Sequence, residues 1–153
     1  VSANCATNML FEELGPERIA AVFAEAGASD SGMDRPYSDE AGLEAGIANR
    51  ATALGLARLM AALVGGDLLD PTWSDYAKDL LRRREDPVIS LVSAHTGADT
   101  GSKGGSVDGI AHDVAFVERN GKMHCLAVCT SGYTYQQGTA AIQAIASALL
   151  EQL

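Results

Sequence analysis

The pair Asn120-Gly121 does more than any other feature to limit what this chain can fold into. It stands between two apolar runs, 110–118 and 123–131. An Asn-Gly pair in that setting specifies a β-hairpin, because both central residues of a type I′ turn need positive φ. With that pair as the turn, Phe116 falls opposite Cys125, Val114 opposite Ala127 and His112 opposite Cys129. Val114, Phe116, Cys125 and Ala127 then share one face, and Ala115, Val117, Leu126 and Val128 share the other. Both faces are apolar, so the hairpin is expected to be covered on two sides. A further apolar run, 88–96, ends in His95-Thr96-Gly97 and reads as a third strand, with residues 98–109 as a long hairpin loop.

The remainder of the chain reads as helix. Met9, Leu10 and Leu14 recur at helical spacing, with Ser2 or Asn4 available as the cap, and Gly15-Pro16 breaks this helix from a second one running to about Ala26. Residues 27–49 hold five acidic residues and four glycines without periodicity, a loop long enough to be functional or mobile. Ala51 to Val64 is an apolar helix stopped by Gly65-Gly66. Asp70-Pro71 opens the next, with Trp73, Ala77, Leu80 and Leu81 expected inward and Arg82-Arg83-Arg84 as its solvated, cationic last turn. A final helix over 137–153 carries Ile142, Ile145, Ala146, Leu149 and Leu153 as a stripe. Helices first, then an antiparallel sheet closed by a helix, predict an α+β fold: one domain, mostly helical over 1–85, with the sheet and C-terminal helix over 86–153.

Charge and cysteine content narrow the function. A net charge of −9 opposes binding to nucleic acid, whose phosphates need a cationic face. No apolar run approaches the roughly 20 residues that span a bilayer. Cys5, Cys125 and Cys129 have no metal-ligand spacing, and Cys125 and Cys129 lie too far apart on one strand for a relaxed disulfide. Neither a metal nor another cofactor is expected.

The order of motifs resembles the penicillin-recognising serine hydrolases, the class A β-lactamases in particular, over nearly all 153 residues. That family carries Ser-x-x-Lys, then Ser-Asp-Asn, then Lys-Thr-Gly. Ser2-Ala3-Asn4 resembles the second motif, Phe11 to Ala28 the helices after it, Met33-Asp34-Arg35 the opening of the Ω loop, and Thr52 to Leu63 the helix that follows. The resemblance implies a β-lactamase/transpeptidase-like fold and a small-molecule or peptide-like acyl substrate.

It also implies roles. Ser2 would relay a proton to the leaving group, and Asn4 would hold the substrate's side-chain carbonyl; apart from the resemblance, both read as helix caps. The third motif can be placed at His95-Thr96-Gly97, which ends an apolar strand, or at Lys103-Gly104-Gly105-Ser106, which keeps the lysine but follows a poor strand sequence. We expect the first. Thr96, Gly97 and Ala98, or Gly105 and Ser106, would then bind substrate, and the backbone N–H of Ala98 or Ser106 would stabilise an oxyanion. His112-Asp113 reads as a buried strand pair.

Two departures qualify the resemblance. No Ser-x-x-Lys occurs in residues 1–153, so the nucleophile is expected on a segment preceding Val1, together with strands that complete the sheet. After Arg35 the chain runs Pro36-Tyr37-Ser38-Asp39-Glu40, lacking the family's loop glutamate, with Glu40 and Glu44 as substitutes. The alternative is an inactive β-lactamase-like fold that binds a ligand or completes its sheet with a second copy or another chain. Localisation stays open between a reducing cytoplasm, which unpaired cysteines favour, and the periplasm or exterior, which the resemblance allows.

Overall fold

The computed structural model describes residues 3–153. The chain forms two compact units, Val1–Leu59 and Met60–Leu153.

In the first unit, helix α1 (Asn4–Glu25) bends where the sequence predicts, at Gly15 (φ 77°, ψ 155°) beside Pro16. Gly15 leaves the helical region and Pro16 restarts it, since proline lacks the N–H an unbroken helix would need. The expected side-chain cap is absent: Ala3 is the N-cap and Asn4 the first helical residue, while Ser2 lies outside the described residues. The long loop is closed by Gly32 and Arg50, which exchange backbone hydrogen bonds of 2.9 and 3.0 Å. Its ends therefore meet, as in an Ω loop. Within it, the short helix α2 (Glu40–Glu44) starts at Asp39, whose carboxylate accepts the Gly42 N–H at 3.0 Å. Helix α3 (Ala53–Gly65) then continues the chain into the second unit, where Met60, Ala62 and Val64 are buried.

The second unit holds α4 (Pro71–Arg82), α5 (Ile89–Ala94), strands β1 (Asp99–Val107), β2 (Ile110–Arg119) and β3 (Lys122–Ser131), and α6 (Tyr135–Leu150). The strands form one antiparallel sheet in the order β1-β2-β3. The β2–β3 register is the expected one, with Phe116 opposite Cys125, Val114 opposite Ala127 and His112 opposite Cys129. Asn120 (φ 54°) and Gly121 (φ 72°) both take the left-handed conformation that this turn requires. Asp70 caps α4 by accepting the Thr72 and Trp73 N–H groups at 2.9 and 3.2 Å. Thr134 and Gln137 form a capping box on α6.

The strand expected over 88–96 is a correction. Residues 89–94 are helix α5, and the third strand is β1, inside the stretch expected to be loop. An apolar run of this length suits a buried strand or a buried helical turn equally, so only its surroundings separate the two. The sequence signal for β1 is Asp108-Gly109, a second hairpin dipeptide; Val107 pairs with Ile110 across it and Gly109 has φ 74°.

Burial follows the strand parity. Val88, Ile89, Ala111, Ala115, Val128, Ile142 and Ala146 make one core cluster, so α5 and α6 cover the odd-numbered face of β2. Phe116 and Val114 are buried on the other face. The α6 stripe is rotated from its expected setting: Gly138, Ile142, Ala146 and Leu150 face inward, whereas Ile145 and Leu149 are exposed. Trp73 and Leu80 of α4, expected inward, are 59% and 50% exposed.

The last turn of α4 lies directly on β1 at Gly101. A Cβ there would sit 2.7 Å from the backbone of Leu81 and Arg82 and 2.8 Å from the Phe116 ring. Gly101→Ala is therefore expected to lower unfolding free energy by about 1–3 kcal/mol, as overpacking does. Gly105→Ala, which meets nothing within 4 Å, should leave the urea midpoint unchanged.

Candidate active site

The candidate residues of the second unit occupy two distinct places. His95, Thr96 and Gly97 terminate α5. His95 is the C-cap, Thr96 donates its hydroxyl to the Ser93 carbonyl at 2.7 Å, and Gly97 (φ 74°) donates its N–H to the Ala94 carbonyl at 3.1 Å. This is how a helix satisfies its last carbonyls and reverses the chain. His95-Thr96-Gly97 thus stops a helix and does not end a strand, which removes the ground for preferring it as the third motif. Ala98 lies between that stop and β1, also outside a strand.

Lys103, Gly104, Gly105 and Ser106 instead run consecutively along β1. Among the described residues β1 is an edge strand, paired with β2 alone. Alternate N–H groups of such an edge aim away from its one partner and remain free to donate. Burial and the nearby Arg84 charge both push the Lys103 ammonium below its usual pKa, against a weaker opposite pull from Asp113.

Beneath this strand lies a buried polar network. Asp113, fully buried on β2, pairs with the Arg84 guanidinium and accepts the Ile89 N–H at 2.8 Å. Arg84 also donates to the Ser102 hydroxyl at 3.1 Å, and Ser102 meets Ser90 at 3.0 Å. A Cβ at Gly104 would collide with the Arg84 guanidinium, so the strand has to be bare there. Burial raises the Asp113 carboxyl above its ordinary pKa, while Ile89 N–H and Arg84 pull it back. His112 is half-buried with Nδ1 at 2.8 Å from the Ala111 carbonyl, so of the strand pair expected to be buried only Asp113 is.

The three arginines are only in part the solvated helix end expected: Arg83 stays 63% exposed, whereas Arg82 and Arg84 reach the sheet. Arg82 lies over the Phe116 ring at 5.5 Å and bonds Asp99 at 2.8 Å, which holds the Asp99 carboxyl below its usual range. Arg83 pairs with Asp79 and Arg84 with Asp113. Phe116 and Asp113 lie on opposite faces of β2, so Arg82 and Arg84 reach the sheet from both sides. Sequence spacing does not show this, because the partners are 17 to 34 positions away.

An open cleft of about 630 Å³ adjoins the end of β1. Ser106, Val107 and Asp108 form one wall, and Tyr133, Thr134 and Tyr135 the other. Tyr135 is fixed by donating its hydroxyl to Asp86 at 2.6 Å, which raises the phenol's pKa. Burial pushes the Cys125 thiol up to about 11, consistent with a packing role. No cluster of three or more His, Cys, Asp or Glu that could hold a metal occurs among the described residues.

In the first unit, Asn4 opens α1 and is exposed. One turn later Asn8 holds the loop, accepting the Tyr37 N–H at 2.7 Å and donating to the Tyr37 carbonyl at 3.0 Å. Asn49 accepts the N–H groups of Asp34 and Arg35 at 2.9 and 3.0 Å and donates to the Arg35 carbonyl at 3.0 Å. Asn8 and Asn49 carry no local signal in the sequence that distinguishes them from surface polar residues.

The Beta-lactamase enzyme family model matches residues 1–153. PBP-A has a similar structure, with TM-score 0.82 and 23% identity over 99% of this chain and 57% of that one. A PBP-A mutant solved as an acyl-enzyme complex with penicillin G matches with the same figures. A β-lactamase from Sphaerobacter thermophilus matches with TM-score 0.81 and 25% identity over 97% of this chain and 57% of that one. The chain thus spans under three-fifths of the length of these relatives. No curated protein sequence matches significantly.

Removing Asp113 would strand a largely buried guanidinium. Asp113→Ala is expected to cost about 3–5 kcal/mol in urea unfolding, whereas an Arg84→Met/Asp113→Leu pair should cost far less. Equal losses in the single and double variants would show that the charge pairing is not what matters.

Proposed function

Because this chain belongs to the beta-lactamase enzyme family, we propose that it is the part of a serine acyl-transfer enzyme that carries the second and third motifs. The observation that supports this most is the edge strand: Lys103-Gly104-Gly105-Ser106 lies on β1, backed at Gly104 by the largely buried Arg84 and beside an open cleft. Lys103 is the cation of the third motif, in preference to His95. Ser106 offers its backbone N–H to the oxyanion, a contribution of roughly 3–4 kcal/mol to the transition state. Asn4 holds the acyl side chain's carbonyl, and Ser2 passes a proton to the leaving group.

The attacking serine hydroxyl comes from a Ser-x-x-Lys segment outside residues 1–153. Its oxygen bonds to the substrate carbonyl carbon, the carbonyl oxygen takes up negative charge, and the C–N or C–O bond to the leaving group breaks. The proton lost by the serine reaches the leaving group through Ser2. Penicillin G is the acyl donor to try first, since a PBP-A mutant forms an acyl-enzyme with it.

A second reading rests on the other edge of the sheet. β3 pairs with β2 alone among the described residues, so its outer backbone groups are available to another strand. In that reading the domain is inactive and acts in assembly.

Fluorescent-penicillin labelling separates the two. The complete natural polypeptide should be labelled covalently, and Lys103→Ala should slow labelling about 10²-fold while His95→Ala leaves it unchanged. Residues 1–153 alone should take no label; if they do, the nucleophile lies within this chain. Absence of labelling in the complete polypeptide would favour the assembly reading.

A further inference from the structure

The turn at Asp108-Gly109 fixes which backbone groups of β1 look outward. Val107 and Ile110 close that two-residue turn, so they exchange their backbone hydrogen bonds. By alternation Lys103 and Gly105 bond β2 through their main chain, while Ser102, Gly104 and Ser106 present theirs to the open edge. Gly104 is the residue directly opposite Asp113, so both belong to one face of the sheet. On that face the Arg84 guanidinium fills the space a Cβ of Gly104 would need, and it reaches inward to the Asp113 carboxylate. The two charges are thus ordered across the sheet, the positive one over the edge strand and the negative one over β2, about 4.8 Å further in. Their side chains are 19% and 0% exposed, so solvent screens the pair little. The Ser102 hydroxyl holds the guanidinium there, at 3.1 Å from Arg84 and 3.0 Å from the Ser90 hydroxyl. Lys103 feels the same order of charges. Burial lowers its pKa most, and Arg84 then lowers it by more than Asp113 raises it.

We propose that Arg84 is a positioning residue whose buried charge, ordered by Asp113, lies behind the outward N–H groups of β1 and strengthens their hold on the oxyanion of acyl transfer. The inference rests on the acyl-transfer reading given above. As the serine oxygen bonds to the carbonyl carbon, the π electron pair of the C=O bond moves onto its oxygen, to which the Ser106 N–H donates. Ser106 stands two residues beyond Gly104, about 7 Å along the strand. At that range a poorly screened cation attracts a full negative charge more than it attracts the neutral carbonyl. Only such a difference between transition state and ground state accelerates the step. An apolar pair of similar volume could fill this place as stably. What the ions add is a field with a direction.

The test uses the complete natural polypeptide and a fluorescent penicillin, with the labelling rate followed against penicillin concentration so that binding and acylation separate. Arg84→Gln/Asp113→Asn keeps the shapes and the hydrogen-bonding groups and removes both charges. It should lower the limiting acylation rate about tenfold and leave the half-saturating concentration within about twofold. Hydrogen-exchange protection of the β2 amides that bond β1 should be retained, which verifies that the strand is still seated. The alkaline limb of the rate profile, where Lys103 loses its proton, should move to higher pH, because the downward pull of Arg84 is gone. Arg84→Lys keeps the charge and should stay within about threefold of the natural rate. Arg83→Gln removes the neighbouring surface cation, paired with Asp79, and should change nothing. If Arg84→Gln/Asp113→Asn loses β2 protection, Arg84→Met/Asp113→Leu takes its place with the same rate expected. An unchanged limiting rate in a folded neutral pair, or an equal loss in a folded Arg84→Lys variant, overturns the inference and leaves acyl transfer standing. No labelling of the natural polypeptide overturns acyl transfer itself, and the inference falls with it.

Discussion

The second unit is built around one buried charge. Asp113 has no exposed side-chain surface, and an uncompensated carboxylate there would cost several kcal/mol. Its compensation comes from three elements at once: Arg84 after α4, the Ile89 N–H opening α5, and Ser102 on β1 through Arg84. The requirement to satisfy that carboxylate therefore sets where α5 begins and how β1 is seated. It also explains why Gly104 has to be a glycine, since the guanidinium occupies the space of a Cβ. The edge strand that carries Lys103 and Ser106 inherits its position from this pair.

The first unit solves a different problem by similar means. A loop of some twenty residues with little apolar content cannot be held by a hydrophobic core. It is held instead by amide side chains that substitute for strand neighbours, Asn8 on Tyr37 and Asn49 on Arg35, and by the Gly32–Arg50 backbone pair. Each such bond contributes about 1 kcal/mol net. Several acting together confine the loop at the points where its side chains matter.

The two candidate third motifs show how far spacing alone can go. His95-Thr96-Gly97 and Lys103-Gly104-Gly105 each keep part of the Lys-Thr-Gly pattern, and an apolar run precedes the first. That run is helix α5, and its His-Thr-Gly does the work of a helix terminus. The strand sequence around Lys103 looks poor because it is rich in glycine. Gly101 and Gly104 are there for close approach, one to the α4 backbone and the other to Arg84. Glycines that weaken a strand's intrinsic preference are thus what lets this strand fit.

Short-range residue patterns specify the β2–β3 hairpin, its register, the break at Gly15-Pro16, the Asp70 cap and the α+β order of elements. Each depends on residues within a few positions of one another, where turn φ angles, capping and periodicity act directly. Family membership was legible too, in the order of motifs along the chain. Long-range packing settles that 89–94 is helix, that 99–107 is strand, that Arg84 is drawn inward and that Tyr37 is the loop residue tied to α1. In each case the deciding partner lies far along the chain, 29 residues away for both Arg84–Asp113 and Asn8–Tyr37. A short apolar run or a surface-looking polar residue carries no local mark of such a partner.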